Sequence, residues 1–317
     1  MAIEFRGVDF APLRNLNVSA PDRAVIGIIG QMGSGKTVLL RLAAGLERPS
    51  AGSVVFAGSV RRYSGACDAL ELSPVQLLSL DQTLSKLDAL ALAQALVAID
   101  RLRSDGATVL IASHDSHLLR QVSDEVWWLD EGRLAGRGDP GEVLDAYQNH
   151  IVEEFRAWGG TQSNPLRTTL RRGDGRAEIV SIETLGESGA PSLVWRSGEP
   201  VAVRVVVHYL DTVEEPVIGI MIRTRIGLNV YGTNTELERR ANGRLAAGDQ
   251  LEVTFRFRCD LCPGEYTVTS ASHDADGTAH DWIDDAVAVV VADSRYTAGV
   301  ANLRAQLESK RITSARG

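Results

Sequence analysis

Cysteine is scarce in this chain: Cys67, Cys259 and Cys262 are the three in 317 residues. An odd, small set cannot build an even disulfide framework. The Cys259-Asp-Leu-Cys262 spacing suits a redox or zinc pair, but no second pair or histidine cluster completes a tetrahedral site. The alternative is two thiols flanking the turn before Pro263-Gly264. Long apolar runs are missing too. None reaches the roughly 18 residues needed to span a bilayer, and the longest candidate, residues 286–292, has the length of a strand. The opening MAIEFRGVDF lacks a basic region followed by an apolar core, so no secretory signal is expected and a cytoplasmic site is the default. Clustered basic charge is also lacking. The net charge is −8, with acidic residues spread along both halves, so nucleic acid is not an expected partner.

What is present divides at mid-chain. A chain of 317 residues, 44% hydrophobic, exceeds what one core comfortably serves, so two domains are expected. Up to about residue 150, short apolar runs (24–29, 77–80, 108–112) alternate with helical patterns (37–44 and about 87–105), the pattern of βαβ units on a parallel sheet. Residues 151–175 carry turn formers and basic residues with little apolar period and read as a linker. Beyond it the period becomes two. Val201, Val203, Val205, Val207 and Tyr209 alternate with other residues, as do Leu251, Val253, Phe255 and Phe257. About seven such strands over residues 176–293 favour an antiparallel β-sandwich. In residues 294–317, Val300, Leu303 and Leu307 fall at helical spacing, which predicts a short helix or a tail.

Gly30-Gln31-Met32-Gly33-Ser34-Gly35-Lys36-Thr37 fits G-x-x-x-x-G-K-[ST], between an expected strand and an expected helix. In such a P-loop, backbone N–H groups turn inward around phosphates, the lysine reaches the β and γ oxygens, and the Thr37 hydroxyl ligates Mg²⁺. ATP and Mg²⁺ are therefore the expected cofactors.

With the segments Leu13–Val18 and Leu42–Gly52 on either side of that loop, the chain resembles the nucleotide-binding subunit of ABC transporters. Downstream, Leu77–Asp81 is similar to Walker B, Ser85–Asp88 to the D-loop, and Ser113-His114-Asp115 to the H-loop. The resemblance implies an α/β P-loop NTPase fold over residues 1–150, Asp81 as a second Mg²⁺ ligand, His114 at the γ-phosphate, and Phe10 stacked on adenine. It also implies pairing with a second ATP-binding subunit, as a homo- or heterodimer, and with a membrane permease, hence a peripheral place at the inner face of the membrane.

Two departures qualify that picture. Asp81 follows Lys36 by only 45 positions (81 − 36), where the family places a helical subdomain carrying the Q-loop and the LSGGQ signature. The subdomain is largely deleted, and Arg62-Tyr63-Ser64-Gly65-Ala66 is either a remnant of the signature or a Ser-Gly turn. Gln82 stands where the family has the glutamate that polarises the attacking water. A glutamine can hold that water but cannot take its proton, and losing a general base costs about 10²–10⁴ in rate. Weak or absent hydrolysis is expected.

The second half resembles the carbohydrate-binding domain fused to ATP-binding subunits that export O-antigen and related bacterial polysaccharides. Gly175–Ile182, Ser197–Pro200, Val230–Thr235, Pro263–Tyr266 and His280-Asp281-Trp282 carry that resemblance. It implies an immunoglobulin-like all-β sandwich that recognises a polysaccharide. Sugar binding wants an aromatic face with polar groups beside it, and Tyr231, Asn234, His280, Asp281 and Trp282 offer that chemistry. The other reading is that Tyr231 and Trp282 fill the core of the sandwich.

Overall fold

Three five-residue strands, VIGII, LLSLD and TVLIA, are buried along their whole length, as the central strands of a parallel sheet covered on both faces must be. They belong to a computed structural model that describes residues 2–56, 58–65, 74–158, 171–225, 227–293, 295 and 297–310. The chain forms two units, residues 1–150 and 151–317.

The first unit opens with β1 (Ile3–Phe10) and β2 (Leu13–Ala20), followed by β3 (Val25–Ile29), α1 (Lys36–Ala43), β4 (Ala51–Phe56), β5 (Val60–Ser64) and β6 (Leu77–Asp81). Then come α2 (Ala89–Ser104), β7 (Thr108–Ala112), α3 (Ser116–Val122), β8 (Glu125–Asp130), β9 (Arg133–Gly138) and α4 (Pro140–Trp158). A six-stranded sheet runs in the order β5-β6-β7-β3-β8-β9, parallel except for its last pair. An antiparallel sheet, β2-β1-β4, packs with it around a core that includes Phe5, Leu16, Ile26, Leu40 and Trp127. Strand order therefore brings the carboxyl ends of β6, β7 and β3 side by side, which is where open α/β sheets hold their ligands.

Between α1 and β6 the described residues form only β4 and β5, with no helix. Residues 60–64 make an edge strand hydrogen-bonded in parallel to β6, not the start of a helix as a signature segment requires. The Ser64-Gly65 pair ends that strand, with Gly65 at φ 73° and its N–H donated to the Asp81 carbonyl. Ala66 and Cys67 lie outside the described residues.

In the second unit β11 (Ala177–Leu185), β13 (Pro200–Tyr209) and β16 (Gln250–Arg258) form one sheet. The other orders β10 (Arg171–Arg172), β18 (Ala279–Ala292), β17 (Gly264–His273), β14 (Val217–Thr224) and β15 (Asn229–Asn234), with β12 (Val194–Arg196) parallel to β18. Ile179, Val203 and Val205 of the first sheet meet Ile220, Val268 and Val289 of the second in one core, which makes the unit a sandwich. The alternation seen in the sequence sets the register, with Val203 opposite Phe255 and Val205 opposite Val253.

Three expectations are corrected. The linker is shorter than 151–175, because α4 continues to Trp158 and Arg171 is already paired with Ile283 of β18; residues 159–170 lie outside the described residues. Helix α4 persists because Val143, Leu144, Tyr147, Ile151 and Val152 keep a buried stripe at helical spacing. The strands number more than seven, since two- and three-residue pieces such as β10 and β12 carry too few residues to show a period. Residues 297–310 are not helical. The Val300 carbonyl accepts from Cys262 while its side chain packs on the sandwich core, Ala301 bridges Leu261, Asn302 and Arg304 donate to Ser197, and Leu303 is left 85% exposed, so the tail is an extended strap and not a helix with an apolar stripe. Residues 311–317 lie outside the described residues.

Candidate functional site

At the end of β3 the backbone turns sharply into α1. Gly30 has φ 151°, and a Cβ there would collide with the Leu129 carbonyl oxygen of the neighbouring strand. Gly35 is left-handed at φ 103° against the Leu13 side chain, and it serves as the N-cap of α1 with no side-chain cap and no acid in the first turn. The first N–H groups of α1 therefore face outward with a positive dipole end, an arrangement that receives phosphate. Lys36, only 6% exposed, donates Nζ to the carbonyls of Gly30 and Gln31, both at 2.7 Å, and to Ser34 Oγ at 3.4 Å. Its charge is thus folded back across the loop it would share with a ligand. Gln31 is half-buried and Met32 and Gly33 are exposed, so the loop is open to solvent on its outer side.

Asp81, the last residue of β6, reaches the same place. The Thr37 hydroxyl donates to its Oδ1 at 3.2 Å, and Arg62 of β5 donates to its Oδ2 at 2.7 Å. Arg62 was not among the residues expected at the site, because its sequence context looked like a turn or a signature remnant. The parallel register, with Ser64 opposite Asp81, sets Arg62 two residues upstream, within an arginine's reach. Gln82 follows Asp81 in a left-handed conformation, φ 58°, with its N–H on the Ala112 carbonyl. His114 is half-buried just beyond the end of β7. Asp115 accepts from Leu118 and caps α3, and Asp88 accepts from Ala91 and caps α2, so both acids fix helix starts. Phe10 pairs with Leu13 in the β1–β2 hairpin and packs, partly buried, on the core.

The arrangement fits a polyphosphate: a cradle of N–H groups with two cations, Lys36 and Arg62, beside it. It does not fit Mg²⁺ between Thr37 and Asp81 in the same way. Arg62 already holds Asp81 Oδ2 at 2.7 Å, so a metal would have to share that carboxylate with a guanidinium or displace it. Arg62 therefore stands against the expected metal role of Thr37 and Asp81, holding the carboxylate that a metal would need. Cys259 and Cys262 also carry no metal or redox chemistry as placed. Both are buried, and burial pushes Cys259 up to about 11 and raises Cys262 as well, which keeps the thiols protonated.

On the sandwich, an open cleft of about 380 Å³ lies over β14, β15 and β17. Tyr231, Asn234 and Trp282 line it, joined by Met221, Leu237 and His273. Tyr231 is 41% exposed, with its ring 5.8 Å from Phe257. The Trp282 indole N–H donates to Asp284 at 3.0 Å, and the Arg172 guanidinium covers the ring at 4.5 Å. Asn234 Oδ1 accepts from the Leu237 N–H, shaping the turn at the cleft edge. Met221 and His273 gave no signal in the sequence because they stand on the outward face of strands read only for their buried face.

His280 and Asp281 do not belong to that cleft. They are 1% and 3% exposed. Asp281 binds the Arg171 guanidinium at 2.8 and 2.6 Å and accepts the Ile179 N–H at 2.6 Å, tying three strands together. His280 lies between Ser272 Oγ (3.1 Å) and Asp274 (3.0 Å). The Arg176 guanidinium, with help from His280, holds Asp274 below the usual carboxylate range. A sugar hydroxyl cannot displace these bonds without opening the sandwich.

Comparison with known proteins gives two matches of different kind. Residues 13–127 match the ABC transporter family model, and residues 168–303 match that of the Wzt C-terminal domain. The methionine import ATP-binding protein MetN of Francisella tularensis subsp. holarctica (strain OSU18) is 23% identical over 177 residues, 52% of this chain and 49% of its own length. The chain thus spans about half the length of that relative. The spermidine/putrescine import ATP-binding protein PotA of Rubrobacter xylanophilus is 22% identical over 337 aligned positions, covering 81% of this chain and 86% of its own. Among solved structures, the crystal structure of the C-terminal domain of wzt is 25% identical over 46% of this chain and 93% of that one, with a TM-score of 0.43. Among the described residues, no helix is long and apolar enough to cross a membrane.

Proposed function

We propose, from the premise that this chain joins an ABC transporter ATP-binding domain to a Wzt C-terminal domain, that it is the ATP-binding, glycan-recognising component of a bacterial polysaccharide exporter. The observation that carries the reading is a formed phosphate cradle, with Lys36 buried beneath the open N-terminus of α1, on the same chain as a sandwich whose cleft exposes Tyr231. Residues Gly30 to Thr37 would hold the β and γ phosphates of ATP, and His114 and Gln82 would face the terminal phosphate from the ends of β7 and β6. Tyr231 would offer its ring, and Trp282 the part of its ring that Arg172 leaves uncovered, to sugar C–H groups, with Asn234 and His273 beside them for hydroxyls. The partners would be a membrane permease subunit, a second ATP-binding subunit and the polysaccharide, at the inner face of the cell membrane.

A second reading has an observation of its own. Gln82 cannot accept a proton, and no helix intervenes between α1 and β6 among the described residues. Both favour an adaptor that binds ATP without hydrolysing it, presents glycan, and depends on a full-length ATPase partner. Steady-state ATP turnover of the full chain, measured with glycan binding in the same samples, separates the two. Turnover of about 1 s⁻¹ or more, within the ordinary enzymatic range, would support the energising component and exclude the adaptor. ATP and glycan binding with turnover at least about 10² slower would support the adaptor. Failure to bind O-antigen-type polysaccharide would sink both.

A further inference from the structure

We propose that Arg62 occupies the place of the divalent cation at this phosphate site, so that the chain binds ATP equally well with and without Mg²⁺. The inference rests on the reading of residues 30–37 as an ATP site and goes beyond it.

A metal bound there needs oxygen lone pairs from the Thr37 hydroxyl and the Asp81 carboxylate, and Mg²⁺ tolerates little departure from octahedral geometry. Here the Thr37 hydroxyl donates to Asp81 Oδ1 at 3.2 Å and keeps its own lone pairs, so it is Arg62, holding Oδ2 at 2.7 Å, that competes with a metal for Asp81. The side chains of Arg62 and Asp81 are only 15% and 6% exposed. A guanidinium does not give up its charge. If a metal took Asp81, Arg62 would lose its carboxylate and be left to the phosphates alone, with the metal's charge beside it.

The charge count points the same way. Lys36 and Arg62 bring two positive charges and Asp81 one negative, while Gln82 brings none. The site is therefore net positive before any metal arrives, and suits a bare polyphosphate. Arg62 also has a donor to spare. Its Nε is buried without a hydrogen-bond partner among the described residues. The device depends on the short connection from β4 to β6: with β5 paired directly to Asp81's strand, an arginine two residues upstream falls on the carboxylate.

The test is ATP titration of the full chain, by calorimetry, in EDTA and in Mg²⁺, for the wild type, Arg62→Ala and Arg62→Lys. Mn²⁺ binding read by electron paramagnetic resonance, with and without ATP, reports on the metal directly. The wild-type Kd should agree within about threefold between the two conditions, and Arg62→Ala should bind at least about tenfold tighter with Mg²⁺ than in EDTA and take up Mn²⁺ with ATP. Arg62→Lys, which keeps the charge but loses the planar fork, should fall between. A wild type that loses about tenfold or more in EDTA overturns the proposal without any variant having to fold. So does an Arg62→Ala protein as indifferent to Mg²⁺ as the wild type. No ATP binding in either condition overturns the nucleotide reading beneath it, a distinct outcome.

Discussion

The carboxyl edge of the parallel sheet and the open cleft of the sandwich both gather polar side chains, yet treat them in opposite ways. At the sheet edge the polar groups are buried and paired before a ligand arrives: Lys36 on loop carbonyls, Asp81 between Thr37 and Arg62. In the sandwich the buried polar groups His280 and Asp281 hold strands together, while Tyr231, Asn234, Leu237 and Trp282 at the cleft are partly or fully exposed. One site is preorganised electrostatics in a backbone cradle; the other is a surface of rings and amides. Charge dominates the first and shape the second, so substitutions should separate them by what they change.

The largest effect is expected away from both sites. Trp195 fills the sandwich core against Phe257, and Trp195→Ala should cost about 3–5 kcal/mol of sandwich stability in denaturant titrations. ATP affinity should be unchanged; a loss there would break the separation of the two units. Next is Asp281→Ala. It removes the partner of Arg171 and the acceptor of Ile179, and should cost about 2–3 kcal/mol, less than a wholly buried pair because Arg171 is still 28% exposed. At saturating glycan the folded fraction should bind normally; a specific loss of glycan affinity with unchanged stability would return Asp281 to the sugar site.

How much of this was legible in the sequence differs between the regions for a physical reason. The P-loop is a backbone geometry that demands glycine at fixed positions, so it is written in the residue types, and fully buried strands such as β3 announce themselves as apolar runs. Arg62 was not legible, because its role comes from a parallel register between β5 and β6 that no local pattern states. In the sandwich, alternation revealed the buried faces of β13 and β16 but not the partners of outward residues. His280 and Asp281 looked like ligands for sugar because polar residues beside a tryptophan suggest a site. Their true partners, Arg171 and Asp274, are 110 and 6 residues away, and Arg171 falls in what read as a linker.

Smaller effects sharpen the comparison further. Tyr231→Ala should weaken glycan binding by about tenfold, roughly 1.4 kcal/mol, with ATP binding unchanged and only a small fall in melting temperature, since the ring is 41% exposed and meets Phe257 on one side. A core role would show instead as lost stability. The smallest effect concerns pH. Asp274 is held below its ordinary value of 3.8, chiefly by Arg176, so its contribution is present above that value and is lost as pH falls through the lower folded value. The stability difference between wild type and Asp274→Asn should therefore be larger at pH 5 than in stronger acid, shrinking below about pH 4. A difference that persists into stronger acid would mean that the carboxylate's pairing is not what Asn removes.

A working phosphate cradle on the same chain as the sandwich makes ATP affinity depend on Lys36, and titration of Lys36→Ala beside the wild type reads that dependence. Micromolar binding by the wild type and a loss of about 100-fold or more in the variant, with both proteins melting alike, is the predicted result. Equal binding by the two proteins, or none by either, would contradict it.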